Sequence, residues 1–179
     1  MVKLLKPIGH CFGVINAINL AKEVKKKHQD KNVYVFGLLV HNEEVKKDLD
    51  SNGIQTIEIN EDNALVQLNK FTKDDMVIFT AHGHPLEYEQ ILNNNGVTFY
   101  DATCSRVKEC FEQIKKAQEV IYIGKSHHPE TNAALTINKN AHLYDINHRF
   151  DYSLVKSDNP LIINQTTLSF IELEAIHQE

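Results

Sequence analysis

A chain of 179 residues with 42% hydrophobic residues can bury a genuine core, as one large domain or two small ones. Its formal charge of −5 comes from 24 acidic against 19 basic residues, with Arg106 and Arg149 the two arginines, so no basic stripe points to nucleic acid. No apolar run reaches the length of a membrane span and no long apolar secretory segment opens the chain, so a cytoplasmic protein is expected. Cys11, Cys104 and Cys110 include no C-x-x-C pair and are too scattered for a disulfide framework. In a reducing compartment they are thiols or ligands.

Taken in order, Val2 to Leu5 reads as a strand. The glycine-bearing turn Pro7 to Gly13 then opens a helix to about His28, with Val14, Ile18, Ala21 and Val24 at helical spacing. Val33 to Phe36 is a second strand. Asn42 is placed to cap a helix from Glu43 to Ser51, and Asn52-Gly53 to stop it. A strand at 54–59 and a short helix at 64–68 precede the apolar run Met76 to Phe79, the turn Thr80 to Pro85 and a helix to about Asn95. Val97 begins a strand that ends in Asp101-Ala102-Thr103-Cys104 and gives way to a helix at 105–119. The strand Val120 to Ile123, a polar turn through Glu130 and a helix at 131–138 follow. Ala141 to Tyr144 is a strand, the section through Pro160 is irregular, and Leu161 to Ile163 is the last strand. An amphipathic segment at 168–176 closes the chain. Continuous apolar strands alternating with helices predict an α/β protein with parallel sheets covered on both faces. Two units are expected, at 1–98 and 99–179.

The informative feature is position. Cys11, His41, His82, Cys104, His128 with Glu130, and Thr166 all fall just after a strand and at or before a helix, the edge where parallel α/β sheets bind ligands. Each residue has an ordinary alternative. A free cysteine is by default a small buried hydrophobe, a histidine in such a turn a capping group, and Glu130 an acid stabilised by a helix N-terminus. Six turns repeating the pattern favour a site. Three imidazoles, a hydroxyl and helix-start amides suit a phosphate or diphosphate, and Glu130 beside them is a candidate proton donor. His28, His142 and His148 read as surface residues; His10, His84 and His127 adjoin the candidates without a role.

For the cysteines, a Cys-x5-Arg phosphatase loop is excluded, because position 110 is a cysteine and Arg106 comes too early. Zinc would need a closed four-ligand set, which Cys11, Cys104 and two histidines supply in number but without short ligand spacing. Iron-sulfur ligation from widely separated turns fits better, with two such turns present. Cys110 lies six residues after Cys104, an offset of about 240° on a helix, and cannot readily face the same cluster.

At these residues the chain resembles the LytB family, the 4-hydroxy-3-methylbut-2-enyl diphosphate reductases of the non-mevalonate isoprenoid pathway. The likeness is carried by Gly9-His10-Cys11-Phe12-Gly13-Val14, Val40-His41-Asn42, Ala81-His82-Gly83-His84-Pro85, Asp101-Ala102-Thr103-Cys104, His128-Pro129-Glu130 and Gln165-Thr166-Thr167-Leu168-Ser169, in the family's order. The resemblance implies a trefoil of α/β units around a [4Fe-4S] cluster. Cys11 and Cys104 would be ligands, His41, His82 and His128 would hold the diphosphate, and Glu130 with Thr166 would handle protons. It also implies reductive removal of a hydroxyl to give isopentenyl and dimethylallyl diphosphate, with a ferredoxin or flavodoxin as electron donor. Ser105 stands where the family usually has proline, and His84 where a small apolar residue is common. Family members continue into a third unit with a third cysteine, so this chain is expected to represent two of three units. The alternative is a diphosphate-binding module without the cluster.

Overall fold

The computed structural model describes residues 9–40, 42–60 and 62–176. The expected strand at Val2 to Leu5 and the candidate His41 lie outside these residues. The elements in order are α1 (Phe12–Lys27), β1 (Asn32–Phe36), α2 (Glu43–Ser51), β2 (Ile54–Ile57), α3 (Ala64–Leu68), β3 (Asp75–Phe79), α4 (Leu86–Asn94) and β4 (Thr98–Asp101). They continue with α5 (Ser105–Lys116), β5 (Val120–Gly124), α6 (Pro129–Ile137), β6 (Ala141–Asp145), a 3-10 turn (Tyr152–Leu154), β7 (Leu161–Asn164) and α7 (Phe170–Ile176).

Two parallel sheets result, with strand orders β2-β1-β3-β4 and β6-β5-β7. In the first, Val33 and Val35 of β1 and Met76 and Ile78 of β3 join Ala17, Ala21 and Val24 of α1 and Leu49 of α2 in one core. The alternate residues Phe36, Val77 and Phe79 face the other way, against Leu68 of α3 and Leu92 of α4. Period-two alternation therefore buries both faces, and all five residues of β3 are buried. The second sheet repeats this plan. Val120 and Tyr122 pack with Cys110 and Ile114 of α5 and Ala134 of α6, while Ile121 and Ile123 pack with Tyr144, Phe150 and Leu173 of α7.

Local signals set most boundaries. The Asn42 side chain accepts from Glu44 N–H at 2.9 Å and Val45 N–H at 3.3 Å, and Gly53 takes φ 71° after α2. The helix read as 105–119 ends at Lys116, because Asn138 Nδ2 donates to the Ile114 and Ala117 carbonyls at 3.1 and 2.8 Å and satisfies its last turn. The helix read from Thr131 starts at Pro129, a residue whose fixed φ suits a first turn, so Glu130 is helical. β4 pairs with β3 in the register Met76↔Thr98 to Phe79↔Asp101, so residues 99–101 belong to the first sheet. Among the described residues no helix is long and apolar enough to cross a membrane.

Candidate functional site

In each sheet the chain adds its second strand on one side of the first and its third on the other, and the crevice beside that reversal is where ligands bind. The turns there are residues 37–40 and 80–85 in the first sheet and 125–128 and 165–169 in the second. They carry His82, His128 and Thr166; the candidate His41 lies outside the described residues.

His82 follows β3, its Nδ1 3.3 Å from the buried Thr80 hydroxyl, and its ring meets the His128 ring edge-on at 5.6 Å. The two sheets thus bring imidazoles together. His128 caps α6, Nδ1 accepting from Glu130 N–H at 3.2 Å, so the neutral ring carries its proton on Nε2. Gly83 after His82 has φ 85°, and a Cβ there would stand 2.6 Å from Phe111 Cε2. Gly83→Ala combines a left-handed backbone with overpacking and is expected to cost about 3 kcal/mol or more in denaturant unfolding. An unchanged midpoint would refute this account of the turn.

Both candidate cysteines are helix N-caps, Cys11 exposed on α1 and Cys104 half-buried on α5. Cys104 N–H donates to Ala81 O at 3.0 Å, which ties its turn to that of His82. A Cβ on Gly13 would lie 2.9 Å from Cys104 Sγ, so the first turn of α1 rests on the second thiol. Cys110 faces the core, where burial pushes its thiol up to about 12. Neither thiol makes a capping hydrogen bond to its helix. Among the described residues, no three His, Cys, Asp or Glu side chains form a set able to hold a metal ion.

Glu130 is fully buried and its carboxylate is fully engaged. Oε1 accepts from Thr166 N–H at 2.7 Å and Tyr122 O–H at 3.1 Å, and Oε2 accepts from the Thr166 hydroxyl at 2.8 Å. Burial outweighs these hydrogen bonds and holds its pKa above the ordinary carboxylate value. Asp101, the carboxylate that ends β4, is occupied structurally. It accepts from Thr103 N–H at 2.8 Å and from the Thr103 hydroxyl, and pairs with Lys108 at 2.7 Å.

Some participants were not singled out by the sequence. Tyr122 sits inside an apolar strand. Gln165, which belongs to a recognised motif but was given no role, is 2% exposed and accepts from Lys125 N–H at 3.0 Å and from the buried Thr131 hydroxyl at 3.3 Å. Gly124 leaves the space these groups fill. A tyrosine two residues before the glycine that ends a strand could have been noticed; the reach of its hydroxyl to the next helix could not.

The remaining histidines divide. His84 is interior, stacked on Phe79 at 3.6 Å with Nε2 2.9 Å from Glu89, and burial lowers its pKa. His142, read as a surface residue, is a correction. Its Nε2 lies 2.9 Å from Glu119, a buried carboxylate that also accepts from the backbone of Lys156 and Ser157 and so anchors the irregular section. His148 pairs with Asp145 at 3.3 Å, His28 meets the Tyr100 hydroxyl at 3.2 Å, and His10 is exposed.

Two parallel sheets that gather thiols, imidazoles and a buried acid at their strand ends define an α/β protein of trefoil-like plan with a composite strand-end site. A sequence profile described as LytB protein matches residues 2–179, and the chain belongs to that family. Among its relatives, the 4-hydroxy-3-methylbut-2-enyl diphosphate reductase of Bacillus pumilus is 35% identical over 92% of this chain and 54% of its own length. That of Malacoplasma penetrans is 30% identical over 98% of this chain and 62% of its own. The solved structure of the E-1-hydroxy-2-methyl-but-2-enyl-4-diphosphate reductase from Plasmodium falciparum superposes with a TM-score of 0.78. It is 26% identical and covers 97% of this chain and 54% of that one. The chain therefore spans between half and two thirds of the length of these relatives.

Proposed function

We propose that the chain forms the diphosphate-binding and proton-handling part of a reductase acting on 4-hydroxy-3-methylbut-2-enyl diphosphate in the non-mevalonate isoprenoid pathway. The observation that carries this reading is the Glu130–Thr166 pair. A carboxyl with no exposure of its own touches the site through a threonine that is exposed. His41, His82 and His128 hold the diphosphate, which suits imidazole N–H groups at strand ends. Glu130 passes its proton to Thr166 Oγ1, and the threonine releases its own toward the substrate hydroxyl, which leaves as water. Two electrons and two protons balance the loss of that hydroxyl and give isopentenyl or dimethylallyl diphosphate.

Cys11 and Cys104 would hold a [4Fe-4S] cluster, which when bound supplies the electrons, delivered by a ferredoxin or flavodoxin in the cytoplasm. A third thiolate must come from outside these 179 residues, since Cys110 packs in the core. The reading keeps two units, which the separate sheets β1 to β4 and β5 to β7 support. The two-thiol count favours one second reading, a diphosphate-binding module without redox chemistry.

Anaerobic reconstitution with iron and sulfide analysis tests the proposal. The chain alone is expected to retain no stoichiometric cluster. Mixed with the separately produced C-terminal part of a full-length relative, it is expected to hold one and to oxidise a reduced viologen when substrate is added. A stoichiometric cluster on the isolated chain overturns the shared-ligand assignment. A loaded assembly without turnover, together with calorimetric binding of inorganic diphosphate by the cluster-free chain, overturns the reductase and leaves the module.

A further inference from the structure

The two oxygens of Glu130 are not equivalent. Oε1 takes two donors, the Thr166 N–H at 2.7 Å and the Tyr122 O–H at 3.1 Å, whereas Oε2 takes the Thr166 hydroxyl at 2.8 Å. The Thr166 N–H on Oε1 cannot reverse, and a proton on that oxygen would also have to displace the Tyr122 phenol from its donating position. The donor on Oε2 is a hydroxyl, which can turn. The proton of the neutral acid therefore belongs on Oε2, where Thr166 Oγ1 can turn to accept it.

We propose that Tyr122 is a positioning residue that fixes the Glu130 proton on Oε2, the oxygen that faces Thr166 and through it the site. The surroundings of the phenol are built for this reach. Tyr122 is fully buried on β5, between α5 and α6, and a Cβ at Gly124 would stand 2.9 Å from Tyr122 Cε1 and 2.7 Å from Thr131 Oγ1. Glycine at position 124 thus lets the ring lie along its own strand with its hydroxyl at the first turn of α6. Thr131, the next residue after Glu130, adds a second hydroxyl beside the phenol. Burial and the Glu130 charge drive the phenol's pKa far above the ordinary tyrosine value, so it keeps the proton that it donates to Oε1. Without that donor, Oε1 keeps one N–H and gains room for the proton, and part of the population carries it on the oxygen with no route outward.

The assignment rests on the reading of Glu130 as the site's acid, so it is tested without turnover, by infrared difference spectroscopy of the isolated, cluster-free chain across a pH titration. Glu130→Gln identifies the band of the protonated carboxyl. The unmodified chain is expected to show one C=O band, from Oε1 with two donors. Tyr122→Phe keeps the ring and is expected to shift that band up, split it in two and move the titration midpoint upward. Site-specific 3,5-difluorotyrosine at position 122, a stronger donor of the same shape, is expected to move the midpoint downward, which keeps the test open should the phenylalanine variant fold poorly. An unmoved band and midpoint in either folded variant overturns the role of Tyr122. Because no substrate is present, that failure is separate from a failure of the reductase, which the loaded assembly decides.

Discussion

Glu130→Gln is expected to make the chain more stable at neutral pH while removing its proton donor. The glutamine amide keeps the geometry, its oxygen accepting from Tyr122 O–H and Thr166 N–H and its NH2 meeting Thr166 Oγ1, but it carries no charge to bury. The sign follows from linkage. A carboxyl whose folded pKa lies above its unfolded value near 4.5 is favoured by folding in its neutral form. Its contribution is complete below the unfolded pKa and is lost as the pH rises through the folded one. The gain from glutamine is thus largest above the folded pKa, on the order of 1–3 kcal/mol for relieving a buried charge, or several degrees of melting temperature at this chain length. It vanishes in acid. Melting curves from pH 3 to 8 check this, and a variant less stable than the parent at pH 7 would show that the three hydrogen bonds outweigh burial. In a cluster-loaded assembly the same variant is expected to lose turnover by about 100-fold or more, the usual scale of a missing general acid.

Gly124→Ala is expected to be among the most damaging single-methyl additions in the second sheet. Its Cβ would stand 2.7 Å from Thr131 Oγ1, 2.9 Å from Tyr122 Cε1 and 3.3 Å from Gln165 Oε1. None of the three can retreat cheaply, since Tyr122 and Thr131 are fully buried and Gln165 nearly so, and the Gln165 oxygen already holds Lys125 N–H and Thr131 Oγ1. Overpacking of this kind costs about 1–3 kcal/mol, more where a buried hydrogen bond also breaks. The chemical consequence exceeds the energetic one. Any shift of the Tyr122 ring withdraws its hydroxyl from Glu130, so the substitution is expected to raise the Glu130 titration as well as lower the denaturation midpoint. An alanine variant of parental stability would mean that the network is looser than its distances imply.

What the amino-acid order reveals here is mainly one-dimensional. Asn42 and Gly53 bracket α2 as their side chains dictate, and continuous apolar runs such as Met76 to Phe79 become strands buried on both faces. Because parallel strands of one sheet all end at one edge, the position of a residue after its strand already groups His82 with Cys104 at the edge of the first sheet and His128 with Thr166 at that of the second. What stays hidden is lateral. β5 and β7 pair as Val120↔Leu161 to Ile123↔Asn164 across some forty residues, and that pairing alone sets Thr166 over Glu130 and Gln165 beside Thr131. The same holds for Gly13 under Cys104 and for His142 with Glu119, contacts between segments far apart in the chain. Local propensity says nothing about such neighbours. His84 misleads for the converse reason: its polar ring stands in a motif turn, but stacking on Phe79 and a bond to Glu89 make it an interior residue.

The order β6-β5-β7 leaves β7 at the margin of its sheet, and this margin differs from the others. β2 carries Gln55 and Thr56, β4 carries Thr98 and Asp101, and β6 carries His142 and Asp145, polar groups that discourage a stranger from pairing. β7 reads Leu-Ile-Ile-Asn, with Ile162 62% exposed and, past the following turn, Phe170 and Ile171 more exposed still. A strand at the margin of its sheet beside exposed aliphatic surface is adhesive toward any extended segment that meets it. For the chain handled by itself, Ile162, Phe170 and Ile171 make this flank the expected place for clumping to begin, a local property that the net charge of −5 does not express.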